Sequence, residues 1–189
     1  MGNFYTNYTL KGPSQQAVAS ALKGRTAVVT PDYIGYVTVF DEQSDTQDQE
    51  IISDLAIRLS REFSCPVFAV LNHDDDILWF QLYENGELLD EYNSTPGYFE
   101  NVGPSSPTGG DAKKLCAIFD SSNVSAVEKI LRKALLDKDG YAFAVQRHAD
   151  LVNALGLPEI GVGFAYASFD MPNVEFPDGL MKKDLLRTS

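Results

Sequence analysis

The chain has 189 residues, enough to bury a sizeable core, and its 44% hydrophobic and 22% charged content is that of an ordinary globular protein. Its formal net charge is −12, from 27 acidic against 15 basic side chains. A field of that sign repels phosphate backbones, so it argues against nucleic acid and for basic proteins or cations as partners, while solubility is its plainer use. The first ten residues lack a charged start followed by an apolar run, and no apolar stretch reaches the length of a membrane span. Cys65 and Cys116 stand alone, without a CxxC spacing, as buried thiols do in a reducing compartment. A cytoplasmic protein with no membrane partner is expected.

Residues 3–10, rich in Tyr and Thr, predict a first strand. Gly12-Pro13-Ser14 opens a helix with Ala17, Val18, Ala21 and Leu22 as its stripe, and Gly24 stops it. Short strands follow at 26–30 and 35–41, parted by Pro31-Asp32. Ile51, Ile52, Leu55, Leu59 and Phe63 recur at helical spacing. Asp45 or Thr46 would cap this helix, Asp48 and Glu50 suit its positive end, and Pro66 blocks its continuation.

Residues 67–93 are the clearest stretch. Asn85-Gly86 between apolar runs predicts a two-residue hairpin turn, because both central residues need positive φ. That register sets Tyr83 opposite Leu88, Leu82 opposite Leu89 and Phe80 opposite Glu91. A carboxylate beside Phe80 is awkward, so the strand must bulge or end there, or the carboxylate has a buried partner. Upstream, a four-residue loop of His73, Asp74, Asp75 and Asp76 would pair Leu71 with Leu78, Ala69 with Phe80 and Val67 with Leu82. Leu78, Phe80, Leu82 and Leu89 then share the core face, and Trp79, Gln81, Tyr83, Leu88, Asp90 and Tyr92 share the other.

Residues 101–110 continue a Gly- and Pro-rich connection that begins at Ser94. Helices are expected at 111–119, from Asn123 or Ser125 through Leu135 to Leu136, and at 141–155, closed by Gly156-Leu157-Pro158. Aromatic residues at alternate positions predict a late strand at 161–169. The fold class expected is α+β, an antiparallel sheet with helices packed on one face and a mainly helical C-terminal part. Up to about residue 72 the order is that of the ferredoxin-like βαββαβ unit, extended by the meander; an α+β sandwich of another order is the rival. The sheet region at 1–100 and the helical part at 111–189 are expected to pack as one domain.

Three constellations could carry chemistry. His73, Asp74, Asp75 and Asp76 offer oxygen ligands to Ca or Mg, although the layout is not an EF-hand and a solvated turn is the simpler reading. Asp90, Glu91, Tyr92 and Asn93, followed by Tyr98 and Phe99, hold carboxylates near aromatic rings, which could raise a carboxyl pKa for acid–base work; a charge-guarded edge strand competes. His148, beside Arg147 on the third helix, is a lone histidine and reads first as a satisfied one. Gly109-Gly110 lacks the Lys-Ser/Thr of a phosphate loop, and the basic residues are scattered. The leading expectation is a non-catalytic acidic binding or regulatory protein without a cofactor. It would present Trp79, Tyr83, Asp90, Glu91, Tyr92, Asn93, Tyr98 and Phe99 to a basic protein, or pair a sheet edge with its own copy. The alternative is a cation-assisted hydrolase using the His73–Asp76 loop with Asp90 and Glu91.

Overall fold

The computed structural model describes residues 2–98, 106–134 and 138–189. Phe99, residues 101–105 of the Gly/Pro-rich connection, and Leu135 and Leu136 at the expected end of the second late helix lie outside them. The first part alternates strands and helices: β1 (Tyr5–Lys11), α1 (Gln15–Ala21), β2 (Ala27–Val29), β3 (Tyr36–Asp41), α2 (Gln49–Phe63) and β4 (Val67–His73). Ser14 caps α1 by accepting from the Ala17 N–H. The cap of α2 is Asp48, which accepts from the Glu50 and Ile51 N–H groups; Asp45 and Thr46 lie in a 3-10 turn before it. The meander follows as β5 (Ile77–Glu84) and β6 (Glu87–Asn93), then β7 (Thr108–Gly109), α3 (Ala112–Ile118), α4 (Val124–Arg132), α5 (Ala144–Leu155) and β8 (Leu186–Thr188).

Among the described residues the fold is mixed α+β, with one eight-stranded antiparallel sheet in the order β7-β6-β5-β4-β1-β3-β2-β8 and five α-helices. The helices cover both faces, not one. Val18 and Leu22 of α1 and Ile52, Leu55 and Leu59 of α2 pack with Tyr8, Leu10, Val67, Ala69, Leu71, Trp79 and Tyr83. Leu115, Cys116, Val127, Leu131, Leu151 and Leu155 of α3 to α5 pack on the opposite face with Tyr5, Phe68, Val70, Phe80 and Tyr92. Strands buried on both sides read as continuous apolar runs, so their pattern does not say which side is core.

That ambiguity explains the register of the first hairpin. The loop is three residues, Asp74 to Asp76, with Asp74 and Asp75 at positive φ and His73 paired with Ile77. Leu71 therefore faces Trp79, Ala69 faces Gln81 and Val67 faces Tyr83, one residue away from the expected pairing. A slip of one residue turns every side chain to the other face. The second hairpin forms at Asn85-Gly86 with φ of 53° and 81°, and Tyr83 faces Leu88 as expected. The ladder then shifts between Leu82 and Tyr83, so Leu82 faces Asp90 and Leu89 is the extra residue of a bulge. The bulge resolves the awkward carboxylate. Glu91 moves beside Gln81, and Tyr92 stacks on Phe80 with ring centroids 5.0 Å apart.

Both sheet edges are short, two residues in β7 and three in β8, which leaves little backbone for pairing with a copy. Gly109 permits the β7 edge. Its φ is +69°, and a Cβ there would lie 1.9 Å from the Glu91 carbonyl oxygen.

Residues 161–169 do not form a strand. Glu159–Gly161 and Tyr166–Asp170 are 3-10 turns, and Phe164, Phe169 and Phe176 cluster over Val28 and Phe40. Asp45 holds this cluster to the sheet through one carboxylate oxygen, which accepts from the Ala167 N–H at 3.4 Å, while the other is buried without a hydrogen-bond partner. Burial pushes the Asp45 pKa up to about 6. Its folded pKa lies above the ordinary value, so the native state holds this proton more tightly than the unfolded chain. Stability from this group is full below about pH 4 and is lost as pH rises towards 6. Asp45→Asn keeps an acceptor for Ala167 and removes the titration. Its melting temperature should match that of wild type near pH 4 and exceed it above pH 6; equal melting temperatures at both would show that Asp45 carries no buried charge.

Candidate functional site

The β4–β5 turn gathers three segments distant in sequence. Asp75 is only 8% exposed, and its carboxylate accepts from the Asn3 backbone N–H at 3.0 Å, the Asn3 amide at 2.9 Å and the Asn72 amide at 2.9 Å. Its carbonyl oxygen accepts from the Ala144 N–H at 2.6 Å and so caps the start of α5. Asp74 accepts from the Gly2 N–H at 2.9 Å. Asp76 accepts from the Tyr98 hydroxyl at 2.9 Å through its side chain and from the Thr95 hydroxyl at 3.0 Å through its backbone. The Asp74 and Asp75 carboxylates thus hold the N-terminal segment, and that of Asp76 holds Tyr98. Among the described residues, no group of three or more His, Cys, Asp or Glu side chains is placed to hold a metal ion.

His73 sits at the edge of this turn. Its Nδ1 is 2.6 Å from Gln47 Oε1, and the Gln47 amide donates in turn to the Asn72 carbonyl at 2.8 Å. The second bond orients the amide, so the ring donates from Nδ1. Phe4 meets the His73 ring edge-on at 4.9 Å, and Tyr98 does so at 6.1 Å. Phe4 is 48% exposed, Tyr98 37% and Phe143, the residue before α5, 52%. Phe4 and Tyr98 thus flank the acidic turn through His73, and Phe143 stands one residue before the Ala144 N–H that bonds to it.

The other expected site residues are divided between the two faces. Trp79 and Tyr83 are buried beneath α2, at 3% and 4% exposure. They belong to a hydrogen-bonded chain. Trp79 Nε1 donates to Glu91 at 3.0 Å, the Gln81 amide donates to the same oxygen at 3.1 Å, and Gln81 accepts from Ser53 at 2.7 Å and Tyr83 at 2.8 Å. Tyr92 is fully buried on the opposite face, where its hydroxyl donates to the Leu131 carbonyl at 3.0 Å and burial pushes its pKa up to about 12. Trp79, Tyr83 and Tyr92 therefore do not lie together on the surface. Asp90 accepts from the Asp111 N–H at 2.7 Å, and partial burial raises its pKa. Asn93 accepts from the Thr95 N–H at 2.9 Å.

The remaining chemistry-bearing groups are inside. His148 is 1% exposed and 2.8 Å from the Tyr5 hydroxyl, and burial depresses its pKa to about 3. Arg147 is 3% exposed and donates to the Tyr92 hydroxyl and the Ile130 and Lys133 carbonyls. Both cysteines are free and buried, and burial pushes the Cys65 thiol up to about 11. Phe4 and Phe143 are the site residues that the sequence did not announce. Phe143 precedes the helical stripe of α5 and so belongs to no core pattern, which was its one available signal.

The fold and its turn define an acidic α+β protein whose two histidines are tied to Gln47 and Tyr5. No family model, curated protein or solved structure matches the chain. Among the described residues, no helix is long and apolar enough to cross a membrane.

Proposed function

We propose that the chain is a non-catalytic binding protein of the cytoplasm that engages a basic partner protein through the turn end of its meander. The observation that carries this reading is the acidic turn with exposed Phe4 and Tyr98 packed on His73 and exposed Phe143 next to the Ala144 N–H that bonds to Asp75. Aromatic anchors within an acidic setting suit a partner that offers Lys or Arg beside apolar groups. The net charge of −12 would steer such a partner in and turn nucleic acids away. Tyr98 is the aromatic residue retained from the surface expected from sequence. The binding reading is favoured over hydrolysis because the two histidines and the three turn carboxylates are engaged separately.

The first four strands and two helices are read as a ferredoxin-like unit, supported by the order β4-β1-β3-β2 at the centre of the sheet. The helices after residue 110 are read as part of the same domain, supported by the core they share with the sheet.

The test is affinity capture on the immobilised chain, comparing wild type with the triple variant Phe4→Ala, Asp76→Asn, Phe143→Ala. All three side chains are exposed, so the melting temperature should hardly move. Basic proteins retained by wild type and lost by the variant are expected. Equal retention by a folded variant would overturn this surface.

A further inference from the structure

An open groove of about 710 Å³ runs between the C-terminal half of α5 and the segments at 159–164 and 175–177. Its floor includes Val162, Phe164 and Phe176, with the two rings 5.7 Å apart. Asp150, Glu159 and Glu175, all exposed, also line it, and among the described residues no lysine or arginine does. Asp150 accepts from the Tyr141 hydroxyl, whereas Glu159 and Glu175 have no ion-pair partner among the described residues. The same sign of charge continues beyond the groove. Asp32, Asp178 and Asp184 line a second hollow, which includes residues 178–180, and among the described residues no lysine or arginine lines it.

An apolar floor between unpaired carboxylates discriminates among ligands. Anions are repelled, and a small cation would leave the floor wet. A short helix with apolar residues on one face and Lys or Arg along its flanks satisfies both parts at once, by the helix-in-groove mode. We propose that this groove seats a cationic amphipathic segment of the partner protein. The inference rests on the reading of the chain as a binder of a basic partner, but not on the turn surface. An open groove lets the segment enter from the side, and the lining carboxylates set its direction and register.

The test uses the full chain and a labelled peptide of Leu and Lys patterned as an amphipathic helix, read by fluorescence anisotropy, with a Leu/Glu peptide of the same pattern as control. The variants are Glu159→Lys with Glu175→Lys for the groove, and the triple variant of Phe4, Asp76 and Phe143 for the turn. The Leu/Lys peptide should bind wild type and the turn variant alike, weaken roughly tenfold or more with the groove variant, and shift the amide resonances of residues 149–153 and 159–164. Equal affinity for the groove variant, or equal binding of the Leu/Glu peptide, would overturn the groove. Binding weakened only by the turn variant would remove the groove and leave the functional reading standing. No binding to wild type would likewise remove the groove, and the capture experiment would then judge the functional reading by itself.

Discussion

Replacing Arg147 by alanine should cost about 3–5 kcal/mol of stability, read as a lower urea midpoint, because three acceptors lose their donor together. The guanidinium is 3% exposed and donates at 2.8 Å to the Tyr92 hydroxyl, 2.7 Å to the Ile130 carbonyl and 2.6 Å to the Lys133 carbonyl. It lies over the Tyr141 ring at 4.7 Å, and among the described residues it has no carboxylate partner. Its charge is balanced by the C-terminal carbonyls of α4, where the helix dipole is negative, and by the ring face. The same group thus ties α5 to the end of α4 and, through Tyr92, to the meander. Left dry, each orphaned acceptor would cost roughly 1–3 kcal/mol, and water entering the void recovers part of that. Arg147→Lys should remain well below wild type, since one ammonium cannot reproduce the planar fork. A lysine variant with the wild-type midpoint would show that a point charge suffices.

Acid should weaken the fold through His148. The ring is buried and its pKa falls from 6.5 to about 3. The unfolded chain therefore binds a proton that the native state refuses. This group's contribution is full above about pH 6.5 and declines as pH falls towards 3, at up to roughly 1.4 kcal/mol per pH unit. Asp45 acts in the opposite direction between about pH 4 and 6, so the cleaner measurement is made in the Asp45→Asn background. There, His148→Gln should flatten the slope of stability against pH by about one proton between pH 4 and 6, whatever its effect on absolute stability. An unchanged slope, or an imidazole resonance of His148 that titrates between pH 5 and 8 in the native protein, would contradict the burial.

The parts of this fold that were legible in the sequence are those set by one local requirement. Asn85-Gly86 gave its turn because two successive positive φ values need those residues. Ser14 capped α1 for an equally local reason, whereas the helices ended before Gly24 and Pro66, at Leu22 and at a left-handed Ser64. Registers and faces were not local. Val67, Ala69 and Leu71 are as apolar as Leu78, Phe80 and Leu82, and both sets are buried, so alternation could not choose between three and four residues in the Asp loop. The Leu89 bulge did leave a trace, the carboxylate of Glu91 that the unbulged register sets against Phe80. Residues 161–169 alternate like a strand, yet no sheet edge receives them, and their rings serve the cluster over Phe40 instead. At the candidate site, the acidic turn and Tyr98 stood out from turn chemistry and spacing. The exposure of Phe4 and Phe143 depends on how the N-terminal segment and α5 meet Asp75, a contact more than sixty residues long in sequence in either direction.

The most direct measurement is hydrogen exchange on the chain with and without the basic protein it captures. Binding at the turn end predicts added protection at residues 3–4, 73–76 and 143–146, with little change along α2, beneath which Trp79 and Tyr83 lie. Protection concentrated on α2 and β6, with the turn end unchanged, would contradict the account.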